Sequence, residues 1–190
     1  MRLITNCIIV LMPCLCYGQV VSNTPLFPYQ NDSITLTYDA SLGNGELVGI
    51  SPVFAHTGLT FGGSSSWQNV QGNWGVADSS VLMQTLGNNL HSISFHIPSY
   101  YGISGTSSPG PNALAFVFRN TSGTLVGRNS DQSDIYIPIY SSSSPLEVQW
   151  ATSKNMIEAL PNSTLTLNAG SSIVADFKVF IDGNLIFTDS

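Results

Sequence analysis

Past residue 16 the chain has no cysteine, since Cys7, Cys14 and Cys16 all fall near its start. That absence removes disulfides, thiolate metal sites and cysteine nucleophiles from everything downstream. Charge is nearly as scarce, at 8% of residues, with five Lys and Arg against eleven Asp and Glu. Beyond Arg2 the basic residues are Arg119, Arg128, Lys154 and Lys178. They are too few to track a phosphate backbone or an anionic membrane, so nucleic acid is excluded as a partner. No stretch repeats its apolar residues at helical spacing. His56, His91 and His96 lack ligand spacing, which argues against a metal centre or other cofactor. Asn129, Asp131, Ser133 and Asp134 alternate like a calcium loop but lack its glycine and terminal glutamate.

Catalytic signatures are missing as well. Cleaving a glycosidic bond needs two carboxyl groups roughly 5–9 Å apart across it. Asp39, Asp78, Asp131 and Asp134 sit naturally in turns and strand ends, with no spacing that suggests such a pair. No GxSxG elbow supplies a nucleophilic serine. No catalytic residue is expected in this chain.

What is present begins with a leader. Arg2 precedes an apolar run from Leu3 to Leu15, broken by Thr5, Asn6 and Pro13, and Gly18 stands before Gln19. A positive start, a short apolar core and a small residue at the cleavage point predict a signal peptide over 1–18. The run is shorter than the about 20 residues of a membrane span. A lipoprotein is the rival reading, but Pro13 and Leu15 precede Cys14 and Cys16 where a lipobox wants a small residue. The expectation is a secreted protein with no membrane attachment after cleavage.

Period-two patterning dominates the remainder. Ile34, Leu36 and Tyr38 alternate with Thr35 and Thr37. A second strand is expected over Val53–Thr57, interrupted by His56, and a short strand or turn over Val81–Leu86. Gly87-Asn88-Asn89 reads as a turn before Leu90–Ile97, where Ile93, Phe95 and Ile97 oppose Ser92, Ser94 and His96. His91 and His96 are expected on the solvent face. Ala113–Phe118 is apolar on both faces, as in a strand covered by a second sheet. Ile135, Ile137 and Ile139 alternate with Tyr136, Pro138 and Tyr140, and Pro138 marks an edge strand. The flanks of Tyr100-Tyr101 suggest packing under a loop, and Arg119 is expected to pair with Asp131 or Asp134. The fold class is all-β, an antiparallel β-sandwich over 24–140.

Ser141–Pro145, SSSSP, reads as a linker. Strand patterning restarts over 146–190 with Val148 and Trp150, Leu165 and Leu167, and Phe177 to Ile181 before a hairpin turn at Asp182-Gly183-Asn184. Three or four strands fall short of the roughly seven of an immunoglobulin-like sandwich. This segment is therefore expected to be a partial second β domain, and the chain the start of a longer protein.

One loop stands out chemically. Ser51–Gly75 holds Trp67 and Trp74 among Gly, Ser, Asn and Gln. Indole rings with few apolar neighbours suit a sugar, whose C–H face stacks on the ring while Gln68 and Asn73 take its hydroxyls. For each tryptophan the competing reading is an indole folded over the end of the sandwich, and Val70 and Val76 favour it for Trp74. His56 reads equally as a hydroxyl partner or a half-buried strand histidine. A structural or adhesive spacer without sugar binding is the alternative for the whole chain, since fold does not dictate function.

An ordered string of segments carries a family resemblance: DSITLTYDASLGN, PVFAHTG, a tryptophan followed by VQGNWG, GNNLHSISFHIPSYYGI, LAFVFRN and GRNSDQSDIYIPIY. Over Asp32 to Tyr140 the chain resembles the N-terminal starch-binding modules of secreted Bacteroidetes-type α-amylases. Its later segments STLTLNAGSSI and FKVFIDGNLI resemble the immunoglobulin-like spacer that follows such modules. The resemblance implies non-catalytic binding of starch, glycogen or maltooligosaccharides, with a covalently attached catalytic domain downstream. It assigns Trp67 and Trp74 to an aromatic platform and places Phe54 where relatives often carry tyrosine.

Overall fold

The computed structural model describes residues 19–141 and, beyond them, 144, 147–150, 169–172, 177–181 and 184–189. The expected signal peptide lies outside the described residues, as do Leu165, Leu167 and the turn residues 182 and 183.

Two antiparallel sheets form a β-sandwich. The first joins β1 (Val21–Thr24), β2 (Ser33–Asp39), β6 (Leu90–His96) and β5 (Gln84–Gly87), in that order. The second runs β4 (Gln68–Gln71), β3 (Phe54–Phe61), β7 (Pro111–Arg119), and then β8 (Val126–Gly127) and β9 (Ile135–Pro138), which pair with different stretches of β7. Alternation sets the inner faces. Ile34, Leu36 and Tyr38 meet Phe95 from one sheet and Ala55, Leu59, Leu114, Phe116 and Phe118 from the other in one buried cluster. Tyr38 stacks on Phe118 with ring centroids 3.9 Å apart. Their burial is the main stabilising contribution, and truncating a ring such as Phe116 to alanine would cost about 3–5 kcal/mol.

Several elements depart from the patterning. β3 runs through His56 to Phe61 without interruption, because its ladder with β7 is continuous from Phe54↔Arg119 to Thr60↔Ala113. The Val81–Leu86 stretch divides into a 3-10 turn, Ser79–Val81, and β5. Its turn is capped by Asp78, whose carboxylate accepts from the Ser80 backbone N–H at 2.9 Å. Ile97 leaves its strand to open a five-residue helix, α1 (Ile97–Tyr101), with Pro98 in the first turn and Gly102 in the left-handed conformation at its end. Helix α1 buries Tyr101 under the sheet, where its hydroxyl lies 2.6 Å from Thr57 Oγ1. His91 is buried rather than solvent-facing, sharing the inner parity of Ile93 and Phe95 and lying beside Tyr38.

Beyond the sandwich, β10 (Val148–Trp150) pairs with β11 (Ala169–Ser171), and β12 (Phe177–Ile181) with β13 (Asn184–Asp189). Residues flanking the first of these strand pairs touch the sandwich. Tyr29 Oη donates to the Ser172 carbonyl at 2.6 Å, and Tyr140 Oη donates to Glu147 Oε2 at 2.7 Å.

Candidate functional site

The site lies on the outer face of the five-stranded sheet. With Ala55, Thr57 and Leu59 turned inward, strand parity turns Phe54, His56 and Gly58 of β3 outward, beside Arg119, Val117 and Ala115 of β7. Tyr136 of β9 continues the row that begins at Gly58 and Ala115. Ala115 and Val117 are nevertheless buried. The segment 67–78, which runs into and out of β4, folds against this outer face.

That segment is pinned at several points. A Cβ built on Gly58 would lie 3.3 Å from the Trp67 Cβ and 3.1 Å from the Gln68 carbonyl. The missing side chain therefore lets Trp67 settle onto the sheet, as an isolated glycine inside a strand often permits. Trp67 Nε1 reaches the Tyr136 hydroxyl at 3.4 Å. Asn69, in the left-handed conformation at φ 51°, donates its amide to the Tyr101 carbonyl at 3.1 Å. The Gly72 carbonyl lies 2.8 Å from His56 Nδ1.

His56 is the pivot of the arrangement. Its ring lies 5.9 Å from Trp67 at 27° and 5.3 Å from Trp74 at 90°. The two indole planes are therefore closer to perpendicular than to parallel, and they make a corner rather than a flat plate. Burial lowers the His56 pKa, opposed by its bond to the Gly72 carbonyl, aided by the Arg119 charge and opposed again by Asp134. A neutral imidazole donating from Nδ1 to that carbonyl leaves Nε2 as an acceptor with no partner among the described residues.

Trp74 forms the exposed wall, 48% accessible, with Val70 and Val76 also exposed beside it in sequence. It stands against the 120–123 turn: a Cβ on Gly123, at φ 71°, would lie 2.6 Å from its Nε1. Gln68 and Asn73 are exposed, and their side-chain amides make no hydrogen bond to another described residue. They remain available to hydroxyls.

Phe54 has a different place. It is 3% exposed, and the Arg119 guanidinium lies 5.0 Å above its ring. Its face serves that cation and is closed to an incoming sugar. The expected pairing of Arg119 with Asp131 or Asp134 does not occur. Asp134 pairs with Arg128, Asp131 caps its own turn through Ser133, and Arg119 donates only to carbonyls. Among the described residues no cluster of three or more His, Cys, Asp and Glu is placed to hold a metal.

Sequence reasoning brought Trp67, Trp74, His56, Gln68 and Asn73 to one region, and the structure adds Tyr136. Its signal was available: Tyr136 has the opposite parity to the buried Ile135 and Ile137. What strand parity could not supply was the neighbour across three strands. No family model and no curated protein matches this chain.

Proposed function

We propose that this β-sandwich is a non-catalytic α-glucan-binding module, secreted and normally joined to a glycoside hydrolase of α-amylase type that it holds on starch or glycogen. The corner between Trp67 and Trp74 around a neutral His56 carries the reading. A flat β-1,4 ribbon offers sugar faces in nearly one plane and suits coplanar rings. A wound α-linked chain turns each sugar relative to its neighbour, so inclined rings meet successive faces. The hydroxyls at the sugar edges find the His56 Nε2 acceptor, the Tyr136 hydroxyl, and the Gln68 and Asn73 amides. The resemblance to starch-binding modules and the expected signal peptide point the same way. Phe54 supports this surface from beneath.

Each stacked indole contributes on the order of 1–2 kcal/mol, because the sugar also loses hydration. Two rings alone give about millimolar affinity at best, which the hydroxyl contacts extend toward tens of micromolar, useful when the module is tethered to an enzyme. Native electrophoresis through amylopectin should retard the protein, and Trp67→Ala and Trp74→Ala should each weaken retention roughly tenfold. Maltoheptaose should bind and cellohexaose should not. Unchanged mobility across amylopectin, pullulan and glycogen would reject the proposal in favour of a spacer.

A further inference from the structure

Arg119 is wholly buried, yet no carboxylate among the described residues pairs with it. A buried cation left unpaired is costly, so its surroundings must supply the compensation. Here that compensation comes from two loops and one ring. Nη2 donates to the carbonyls of Asn73 at 2.8 Å and Val76 at 2.7 Å. Nη1 donates to the carbonyls of Asn120 and Thr121, both at 3.1 Å. Phe54 lies beneath the guanidinium plane, and Nε alone finds no partner among the described residues.

The two loops so joined are those between which Trp74 is held. Asn73 and Val76 bracket Trp74 on one side. Asn120 and Thr121 lead into the turn whose Gly123 lies against the indole. The loops also meet directly, since a Cβ on Gly75 would lie 3.1 Å from the Ser122 carbonyl. The backbone bonds to these carbonyls stay within each loop, from Val76 N–H to Asn73, Asp78 N–H to Val76 and Gly123 N–H to Asn120, so the planar fork of one guanidinium is what ties the two loops together by hydrogen bonds. Lysine carries the same charge but presents a point donor that cannot span four acceptors in two directions.

We infer that Arg119 is the positioning residue of this site, clamping the 73–76 and 120–123 loops so that Trp74 stands as a wall across from Trp67. It touches no ligand and acts through Trp74. Only the ligand readout of its test rests on the glucan-binding reading.

The test is a double-mutant cycle in the full chain, with Arg119→Lys and Trp74→Ala made singly and together. Maltoheptaose affinity, acrylamide quenching of tryptophan without ligand, and the thermal midpoint are measured for each. Arg119→Lys should weaken binding roughly tenfold, about as much as Trp74→Ala, and should add nothing once Trp74 is gone. It should also raise quenching, by an increment absent in the Trp74→Ala background. A lowered midpoint with affinity and quenching unchanged would overturn the inference, as would weakening that persists undiminished without Trp74. If the unmodified chain ignores maltoheptaose, the glucan reading fails, and the quenching cycle alone decides the role of Arg119. Should Arg119→Lys not fold, Phe54→Leu takes its place, removing the ring beneath the guanidinium. The same pattern then supports the clamp, and unchanged quenching rejects it.

Discussion

His56 and His91 both titrate below the ordinary histidine range, and for the same leading reason: burial strips water from the charged form. The unfolded chain takes up these protons near the ordinary histidine value of about 6.5. The folded protein resists until lower pH. Between those points the unfolded state binds more protons, so stability rises with pH there. The contribution is complete above the unfolded value and is lost as pH falls through the lowered folded values. Thermal midpoints should therefore be level above neutrality and decline on acidification below about pH 6.5. His56→Gln and His91→Gln should each flatten that decline. A midpoint that rises on mild acidification would contradict the buried, neutral placement of both rings. For His91 that placement was legible, because it shares parity with Ile93 and Phe95. Reading it as a surface residue gave its polarity more weight than its position.

At the level of elements, the close seating of β4 and Trp67 on β3 depends on Gly58. A Cβ there already meets the Gln68 carbonyl at 3.1 Å and Val70 Cγ2 at 3.3 Å. Gly58→Val would drive two more methyl groups into that contact, and overpacking of this kind costs about 1–3 kcal/mol. The urea midpoint should fall accordingly, and glucan affinity should fall with it as Trp67 lifts from the sheet. Loss of stability with full affinity would mean that the ring's seat is irrelevant to binding. The strands with a buried face were readable: β2, β6 and β9 from apolar residues at every second position, and β7 from an unbroken apolar run. β4 was not, because Gln68 to Gln71 is mostly exposed and owes its conformation to pairing with β3. Helix α1 escaped for a related reason. Five residues are too short to show a period, and Pro98 and Gly102 mark only its ends. The corner itself was half-legible. Sequence brought two indoles into one loop, but their mutual angle is set by Gly58, Gly123 and Arg119, which come from β3, a distant turn and the end of β7.

For the molecule as a whole, the buried cluster is built from 34–137. A fragment of residues 19–141 should therefore unfold in one cooperative transition. Its cost relative to the full chain should be of the order of the two lost hydrogen bonds, Tyr29 to Ser172 and Tyr140 to the Glu147 carboxylate, about 2–4 kcal/mol together. Glucan affinity should be unchanged in that fragment. Its charges also fix how it meets a ligand. Within the sandwich Arg119 is buried and Arg128 is engaged by Asp134, while Asp32, Asp39, Glu46, Asp78 and Asp131 have no ion-pair partner among the described residues. Among the described residues no free cation stands near the indoles, so a neutral polysaccharide gains nothing from long-range attraction and loses nothing to screening. Maltoheptaose affinity should stay within about twofold between roughly 0.05 and 0.5 M NaCl, a range that shortens the Debye length several-fold. Heparin and phosphorylated glucans should bind no better at low salt, because the surface they approach carries their own sign. Affinity that falls steeply with added salt would mean that charge, not the faces of Trp67 and Trp74, holds the ligand, and the corner would then have no part in recognition.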